Sequence, residues 1–210
     1  MRLIYIILLS LLIQASGAIA GSYEDLLDAI KQDDIAAAEA LLARGLDVNT
    51  TDPNGNTLLM ISIQEGHTNM ARRLLQRQAQ VAARNKYGET ALMLAAAEGE
   101  LDLSKLLVAR GAQINLSGWS PLIYAAWRGK TEVVKFLLDK GADIDGVSPS
   151  GVSALMMASR EGHFDTVKLL LLEVADPNIK SDSGATALQW ALKGGNTDIA
   201  NLLKQAGATE

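Results

Sequence analysis

Side chains that commonly carry out chemistry are scarce in this sequence. The chain has no cysteine, which excludes disulfides, thiolate metal sites and cysteine nucleophiles. It has two histidines, His67 and His163, and each directly follows a glycine. The run Asp-Ile-Asp-Gly at 143–146 resembles the start of a calcium loop, but the third acidic position and the distal glutamate are missing. No phosphate-binding loop, G-x-S-x-G elbow or H-E-x-x-H motif is present. We therefore expect no catalysis, no metal and no cofactor.

The charge balance excludes another class of function. The 210 residues carry a formal net charge of -5, and no basic run is longer than Arg72-Arg73. Nucleic-acid binding requires clustered positive charge. We therefore do not expect nucleic acid as a partner.

The stretch Asn85 to Gln113 is one copy of a unit that recurs along the chain. Aligned on its hydroxyl residue, Thr90, the copies follow one another at steps of 33, 30, 33 and 33 residues. A glycine follows nine residues after each hydroxyl, and a leucine pair or triplet follows at a fixed offset. Such a period indicates a repeat array. The other hydroxyl positions are Thr57, Ser120, Ser153 and Thr186.

Each unit has the pattern of two short helices. The hydroxyl of Thr90 is suited to an N-cap, because its oxygen can accept a backbone N–H of the first turn. An apolar helix follows, and Gly99 interrupts it. The second helix carries leucines at helical spacing and ends before Gly111, which suits a left-handed C′ position. Neither helix could bury its apolar face alone, so we expect neighbouring copies to fold together.

The pattern G-x-T-x-L-x-x-A-A-x-x-G followed by LL-x-x-GA resembles the ankyrin repeat over roughly residues 22–208. The resemblance implies an all-α fold, an ankyrin-repeat solenoid of about six helix-turn-helix repeats with short β-turn fingers and a concave recognition face. The family's histidine, three residues after the hydroxyl, is replaced in every copy. We expect methionine to fill the vacated space where it occurs. The replacing residues are Met60, Met93, Ile123, Met156 and Gln189.

The first twenty residues do not match the repeats. Arg2 precedes an eleven-residue apolar run, and the segment ends in Ala18-Ile19-Ala20. This is the pattern of a secretory signal peptide with cleavage after Ala20, and the run is short for a membrane span. We expect a periplasmic protein, with secretion as the second choice, and no membrane span in the mature chain.

The predicted organisation is therefore a signal peptide at 1–20 and one ankyrin-repeat domain at 21–210. We expect the mature chain to be a monomer. The predicted repeats lie near 22–49, 50–82, 83–115, 116–145, 146–178 and 179–210, and the first and last of them are caps.

Two irregularities interrupt the repeats. The finger between Ile114 and Ser120 is three residues shorter than its counterparts, and it contains Trp119. Gln78 and Val174 stand where other copies have the helix-ending glycine. Because a β-branched residue resists positive φ, we predict that the helix before Val174 ends differently, around 172–173.

The resemblance also implies where a partner would bind. In ankyrin repeats, recognition residues lie on the finger tips and at the exposed end of each first helix. Matched by position, Tyr87 and Trp119 lie on fingers, whereas Trp127, Arg128 and Arg160 lie on first helices. Aromatic and arginine side chains commonly supply interface hot spots. We predict that the aromatic residues anchor a partner protein and that the arginines pair with its carboxylates.

Alternative positions remain open for these residues. Trp119 could fold inward and fill the space left by the short finger, and Trp127 could pack on neighbouring finger stems. The arginines could simply be solvated. Tyr124 and Trp190 align with an inward position, so we expect both in the core.

Together these observations predict a non-catalytic scaffold that binds a partner protein on its concave finger and first-helix face in the periplasm. A resemblance to exported bacterial ankyrin-repeat proteins implies that it would support an enzyme or a stress-defence protein in the periplasm. The alternative is an immunity protein that neutralises a toxin acting in the periplasm.

Overall fold

A computed structural model describes residues 22–209, which divide into two compact units at Gln80–Val81. The predicted signal peptide lies outside the described residues. Within residues 22–209 all regular elements are helices, accompanied by two isolated β-bridges, Thr51–Thr57 and Val147–Ser153. The predicted all-α fold is confirmed. None of the helices in this range has the length and apolar character that a membrane crossing requires.

In its described residues, from 22 to Gln80, the first unit contains two helix pairs. The carboxylate of Asp34 accepts the backbone N–H of Ala37 at 2.9 Å and so begins the second helix. The Tyr23 hydroxyl donates to the carbonyl of Thr51 at 2.6 Å, which joins the first helix to the finger. The elements are α1 (22–31), α2 (Ile35–Ala43), α3 (Leu58–Gln64) and α4 (Thr68–Gln76).

The second unit, from Val81, contains four helix pairs in two layers. The first helices of the pairs pack side by side in the order α5, α7, α9, α11, and the second helices pack in the order α6, α8, α10, α12. The elements are α5 (Ala91–Glu98), α6 (Leu101–Ala109), α7 (Pro121–Trp127), α8 (Thr131–Asp139), α9 (Ala154–Glu161), α10 (Phe164–Leu172), α11 (Ala187–Lys193) and α12 (Thr197–Gln205).

The predicted hydroxyl N-caps are present on every first helix from α3 to α11. In α5 the Thr90 hydroxyl accepts the backbone N–H of Met93 at 3.3 Å, and its backbone is extended before the helix begins. The same bond begins the four related helices, at distances of 3.2–3.4 Å. The repeated hydroxyl therefore fixes where each first helix starts. The other N-caps are Thr57, Ser120, Ser153 and Thr186.

A buried apolar side chain fills the position of the missing family histidine in four of its five copies, among them the three methionines for which this was predicted. Met60, Met93, Ile123 and Met156 are all buried, with at most 1% of their surface exposed. The fifth, Gln189, is exposed and instead accepts the backbone N–H of Thr186, which completes a capping box.

The helix before Val174 ends at the predicted place, near 172–173, but the prediction that it ends differently from the other second helices is wrong. α10 ends at Leu172, and Val174 itself adopts the left-handed conformation, with φ of +69°. Its N–H donates to Leu171, and the N–H of Ala175 donates to Leu170. Two such bonds form the Schellman motif that glycine usually completes. The buried Ala175 holds the turn in place despite the cost of a β-branched residue at positive φ.

Most fingers are closed by a pair of backbone bonds. In the finger before α5, the N–H of Asn85 donates to Glu89 and the N–H of Gly88 donates to Asn85. Equivalent pairs close the fingers that begin at Asp52, Ser148 and Ser181, whereas the short finger at 114–120 has no equivalent pair. Trp119 therefore directly precedes its helix cap without a closed turn around it.

Candidate functional site

A cleft in the second unit has a volume of about 690 Å³ and opens along the fingers and first helices. Its lining is mainly aromatic and apolar, with two carboxylates and one arginine. The lining residues are Glu89, Trp119, Tyr124, Trp127, Ser150, Val152, Met157, Arg160, Ser181, Asp182, Ser183 and Trp190.

Three positions of the repeat supply most of this lining. The residue just before the capping hydroxyl contributes one wall, and the residues four and seven positions after it contribute the floor. Positions four and seven are separated by three residues, so they share one face of a helix. The first position gives Glu89, Trp119 and Val152; the second gives Tyr124, Met157 and Trp190; the third gives Trp127 and Arg160.

The aromatic rings meet edge to face. The ring centroids of Trp119 and Tyr124 are 6.0 Å apart with an interplanar angle of 83°, and those of Tyr124 and Trp127 are 6.2 Å apart at 84°. Such perpendicular contacts are favourable for aromatic pairs. Trp119 and Trp127 each remain 38% exposed, so the rings are fixed by one another while part of each stays open to the cleft.

A hydrogen bond holds Tyr124 in this arrangement. Its hydroxyl donates to Glu89 Oε1 at 2.9 Å, and Asn85 Nδ2 donates to Glu89 Oε2 at 2.7 Å. Burial raises the pKa of Tyr124 well above its usual range, and the hydrogen bond to Glu89 and the negative charge of Glu89 raise this pKa further. Tyr124 is therefore a neutral hydrogen-bond donor at physiological pH.

The two predicted arginines are engaged with neighbouring side chains. Arg160 Nε donates to Glu161 Oε1 at 2.8 Å, and its guanidinium carbon lies 5.1 Å from the ring centroid of Trp190. The guanidinium carbon of Arg128 lies 5.8 Å from the ring centroid of Trp127. Both distances are within the range of a cation–π contact. The predicted pairing of these arginines with partner carboxylates stays a prediction.

The end of α7 is held by the next repeat. His163 Nε2–H donates to the carbonyl of Trp127 at 2.9 Å. Gly129 lies against this ring, and a Cβ on Gly129 would come within 2.5 Å of His163 Nδ1. In the first unit, His67 Nε2–H donates to the backbone carbonyl of Lys31 at 3.0 Å in the same way. Both histidines therefore have a structural role.

The structure brings together three of the five predicted site residues: Trp119, Trp127 and Arg160 line the cleft. Arg128 stacks on Trp127, and Tyr87 lies outside the lining with 72% of its surface exposed. Trp119 does not fold into the core, because it stays partly exposed beside Tyr124.

The prediction that Tyr124 and Trp190 are core residues is wrong. Both are half-buried and form the floor of the cleft. The same position holds the buried Leu94 in α5, so the alignment suggested burial throughout. Met157 was also missed. The three-residue spacing between Tyr124 and Trp127 could have shown that both lie on one helix face.

The structure shows no metal site within residues 22–209, where no cluster of three or more His, Asp or Glu side chains could hold an ion. Asp143 and Asp145, the start of the calcium-like run, each accept a backbone N–H, from Asp145 and Asp176 respectively. These carboxylates act as local structural acceptors.

Comparison with known proteins agrees with this architecture. The family model for ankyrin repeats, described as three copies, matches residues 26–117, 84–148, 113–181 and 145–209. Because these matches overlap and together span nearly the whole described chain, the protein belongs to the ankyrin-repeat family. Ankyrin repeats are typical of protein–protein interaction scaffolds.

One solved structure gives a measure of the likeness. The crystal structure of the human ASB11 ankyrin repeat domain is 29% identical to this chain, with a TM-score of 0.80. The alignment covers 88% of this chain and 84% of the ASB11 chain. No curated protein matches the sequence.

Proposed function

We propose that this protein is a non-catalytic scaffold that binds a partner protein in the aromatic cleft of its second unit. The observation that carries the proposal is the part-exposed group of Trp119, Tyr124 and Trp127, fixed by perpendicular ring contacts and open to a cleft of about 690 Å³.

The energetic argument concerns large apolar side chains that the fold does not cover. A tryptophan buries on the order of 200 Å² when it is fully enclosed, so its open portion is a substantial source of binding energy. Tyr124 contacts both tryptophan rings, Arg128 lies over the ring of Trp127, and His163 binds the backbone carbonyl of Trp127. Because little side-chain motion is then lost on binding, such a prearranged surface suits a partner.

The test compares alanine variants inside and outside the cleft. Trp119→Ala and Trp127→Ala are each expected to weaken partner binding by more than ~1 kcal/mol without unfolding the chain. Phe164→Ala is the matched control, because Phe164 is 41% exposed and lies outside the cleft lining. Partners would be captured from extracts of the producing cells, identified by mass spectrometry and measured by calorimetry. Equal binding by all three variants would show that the cleft is not the site.

We propose further that the protein is exported and binds its partner in the periplasm. The support is the signal-peptide pattern of residues 1–20, which ends in Ala18-Ile19-Ala20. N-terminal sequencing of the protein from the producing cells is expected to begin at Gly21. Recovery of the chain with Met1 intact would contradict export by cleavage.

A further inference from the structure

Two carboxylates line the cleft, and neither forms a direct ion pair with a cation of residues 22–209. Glu89 accepts one hydrogen bond on each carboxylate oxygen, from the Tyr124 hydroxyl and from Asn85 Nδ2, and both donors are neutral. Asp182 also lines the cleft and its side chain is exposed.

The one arginine that lines the cleft does not offset these charges. The guanidinium of Arg160 is bound to Glu161, with Nη2 at 2.7 Å from Oε1, and it stacks on Trp190. Arg160 is therefore already paired with Glu161, which is not among the residues that line the cleft. The floor around Glu89 remains anionic and aromatic.

The rings of this cleft already accept guanidinium groups from the chain itself. Arg128 lies over Trp127 at 5.8 Å, and Arg160 lies over Trp190 at 5.1 Å. The faces of aromatic rings carry negative charge and attract cations. No such cation lies over Trp119 or Tyr124 in the described residues. These two rings are the ones beside Glu89.

We infer that the cleft binds an arginine side chain of the partner protein, with its guanidinium against Trp119 and Tyr124 and paired with Glu89. The inference rests on the proposed function and adds the chemistry of the partner residue. A guanidinium is planar, so it can stack on a ring while its N–H groups donate to a carboxylate. Each oxygen of Glu89 has a second lone pair to accept such a bond.

Two other occupants fit less well. An apolar side chain would cover Glu89 without giving it a cation, and desolvating an unpaired carboxylate is costly. A lysine ammonium is compact and strongly hydrated, so it loses more hydration than a guanidinium when it enters an aromatic cleft. The combination of carboxylate and ring faces therefore favours arginine.

The test uses two capped pentapeptides, Gly-Gly-Arg-Gly-Gly and the same peptide with citrulline in place of arginine. Citrulline keeps the planar shape but has no charge. Binding to the full chain is followed by NMR through the indole N–H signals. The arginine peptide is expected to bind roughly tenfold more tightly, as one ion pair with ring stacking supplies about that factor. The same pentapeptide with lysine in place of arginine is expected to bind more weakly than the arginine peptide.

Variants locate the effect. Glu89→Gln is expected to remove most of the preference for arginine over citrulline, and Asp182→Asn to reduce it by roughly twofold through lost long-range attraction. Asp182→Asn also keeps the test usable if Glu89→Gln unfolds, because the side chain of Asp182 is exposed. Glu132→Gln is the control, since it removes an exposed carboxylate of α8 outside the cleft.

Equal binding of the arginine and citrulline peptides, or of arginine and lysine peptides, would overturn the assignment of arginine. If a partner is nevertheless lost from Trp127→Ala, the proposed function stands and only this inference fails. If the arginine peptide binds but no captured protein depends on Trp119 or Trp127, the proposed function fails instead.

Discussion

Exchanging Val174 and Gly111 is the sharpest test of how the second helices end. Both residues occupy the C′ position of a Schellman motif, with φ of +69° and +89°. In each motif the C′ N–H and the following N–H close the same two bonds, at 3.0–3.2 Å. The two sites therefore differ mainly in whether the residue tolerates a left-handed backbone.

The expected change in the free energy of unfolding comes from backbone conformation, because packing contributes little at either site. Val174 is 81% exposed, so truncating it loses little burial, and a Cβ on Gly111 would meet nothing within 4 Å. A non-glycine residue in this conformation costs about 1–3 kcal/mol, and the extra freedom of glycine in the unfolded chain offsets about 0.4–1 kcal/mol of that. Val174→Gly should therefore stabilise by about 1 kcal/mol, and Gly111→Val should destabilise by about the same amount.

The assay is urea unfolding followed by circular dichroism, with thermal unfolding as a second readout. For a chain of this size, 1 kcal/mol corresponds to about 2–4 °C in Tm. The double variant should return close to the wild-type value, because the sites are separate and their effects add. If Val174→Gly is destabilising, the valine side chain makes a contribution that this account lacks, and the reasoning from φ is refuted.

Three further predictions concern single side chains. The pKa of Tyr124 is raised in the folded protein, so its contribution to stability is present below the unfolded pKa of about 10 and is lost as the pH rises beyond it. Urea unfolding between pH 8 and 11 should therefore show that the free energy of unfolding falls more steeply with pH in wild type than in Tyr124→Phe. The hydrogen bond from Arg77 lowers the pKa of Glu39, so the contribution of Glu39 to stability is present above its unfolded pKa and is lost as the pH falls through its folded pKa. Glu39→Gln should therefore slightly reduce the loss of unfolding free energy with falling pH, and an unchanged pH dependence would contradict this. Thr90→Ala should cost about 1 kcal/mol in urea unfolding because the cap of α5 is lost, whereas Thr90→Ser should cost much less.

The sequence predicts the repeated local structure well, because each element depends on residues close to it in the chain. The hydroxyl at Thr90 and its counterparts begins each first helix through a bond to a residue three positions later. The buried methionines at Met60 and Met93 follow from their fixed position on an apolar helix. Periodicity and capping are sufficient for these features.

Features that depend on neighbouring repeats are harder to predict. Val174 adopts positive φ because Ala175 beyond it is buried, and local propensity favoured another outcome. Tyr124 and Trp190 align with the buried Leu94, yet in α7 and α11 that position borders the cleft. A larger side chain at an inward position extends beyond the core, and only its surroundings decide what it contacts.

The candidate site also has features that the sequence predicts and features that it does not. Position in the repeat was enough to select Trp119, Trp127 and Arg160, which all line the cleft. It was not enough to exclude Tyr87, or to show that Arg160 already binds Glu161. These outcomes depend on side-chain contacts between residues that the repeat pattern treats independently.

The most direct test of partner binding in the cleft is site-specific photo-crosslinking in the producing cells. A photoreactive phenylalanine derivative would replace Trp127 in one strain and Phe164 in another, since both side chains are similarly exposed. Partner binding in the cleft predicts a covalent adduct with another protein from position 127 and none from position 164. An adduct from position 164 alone would contradict the account and place the interaction surface on the second helices.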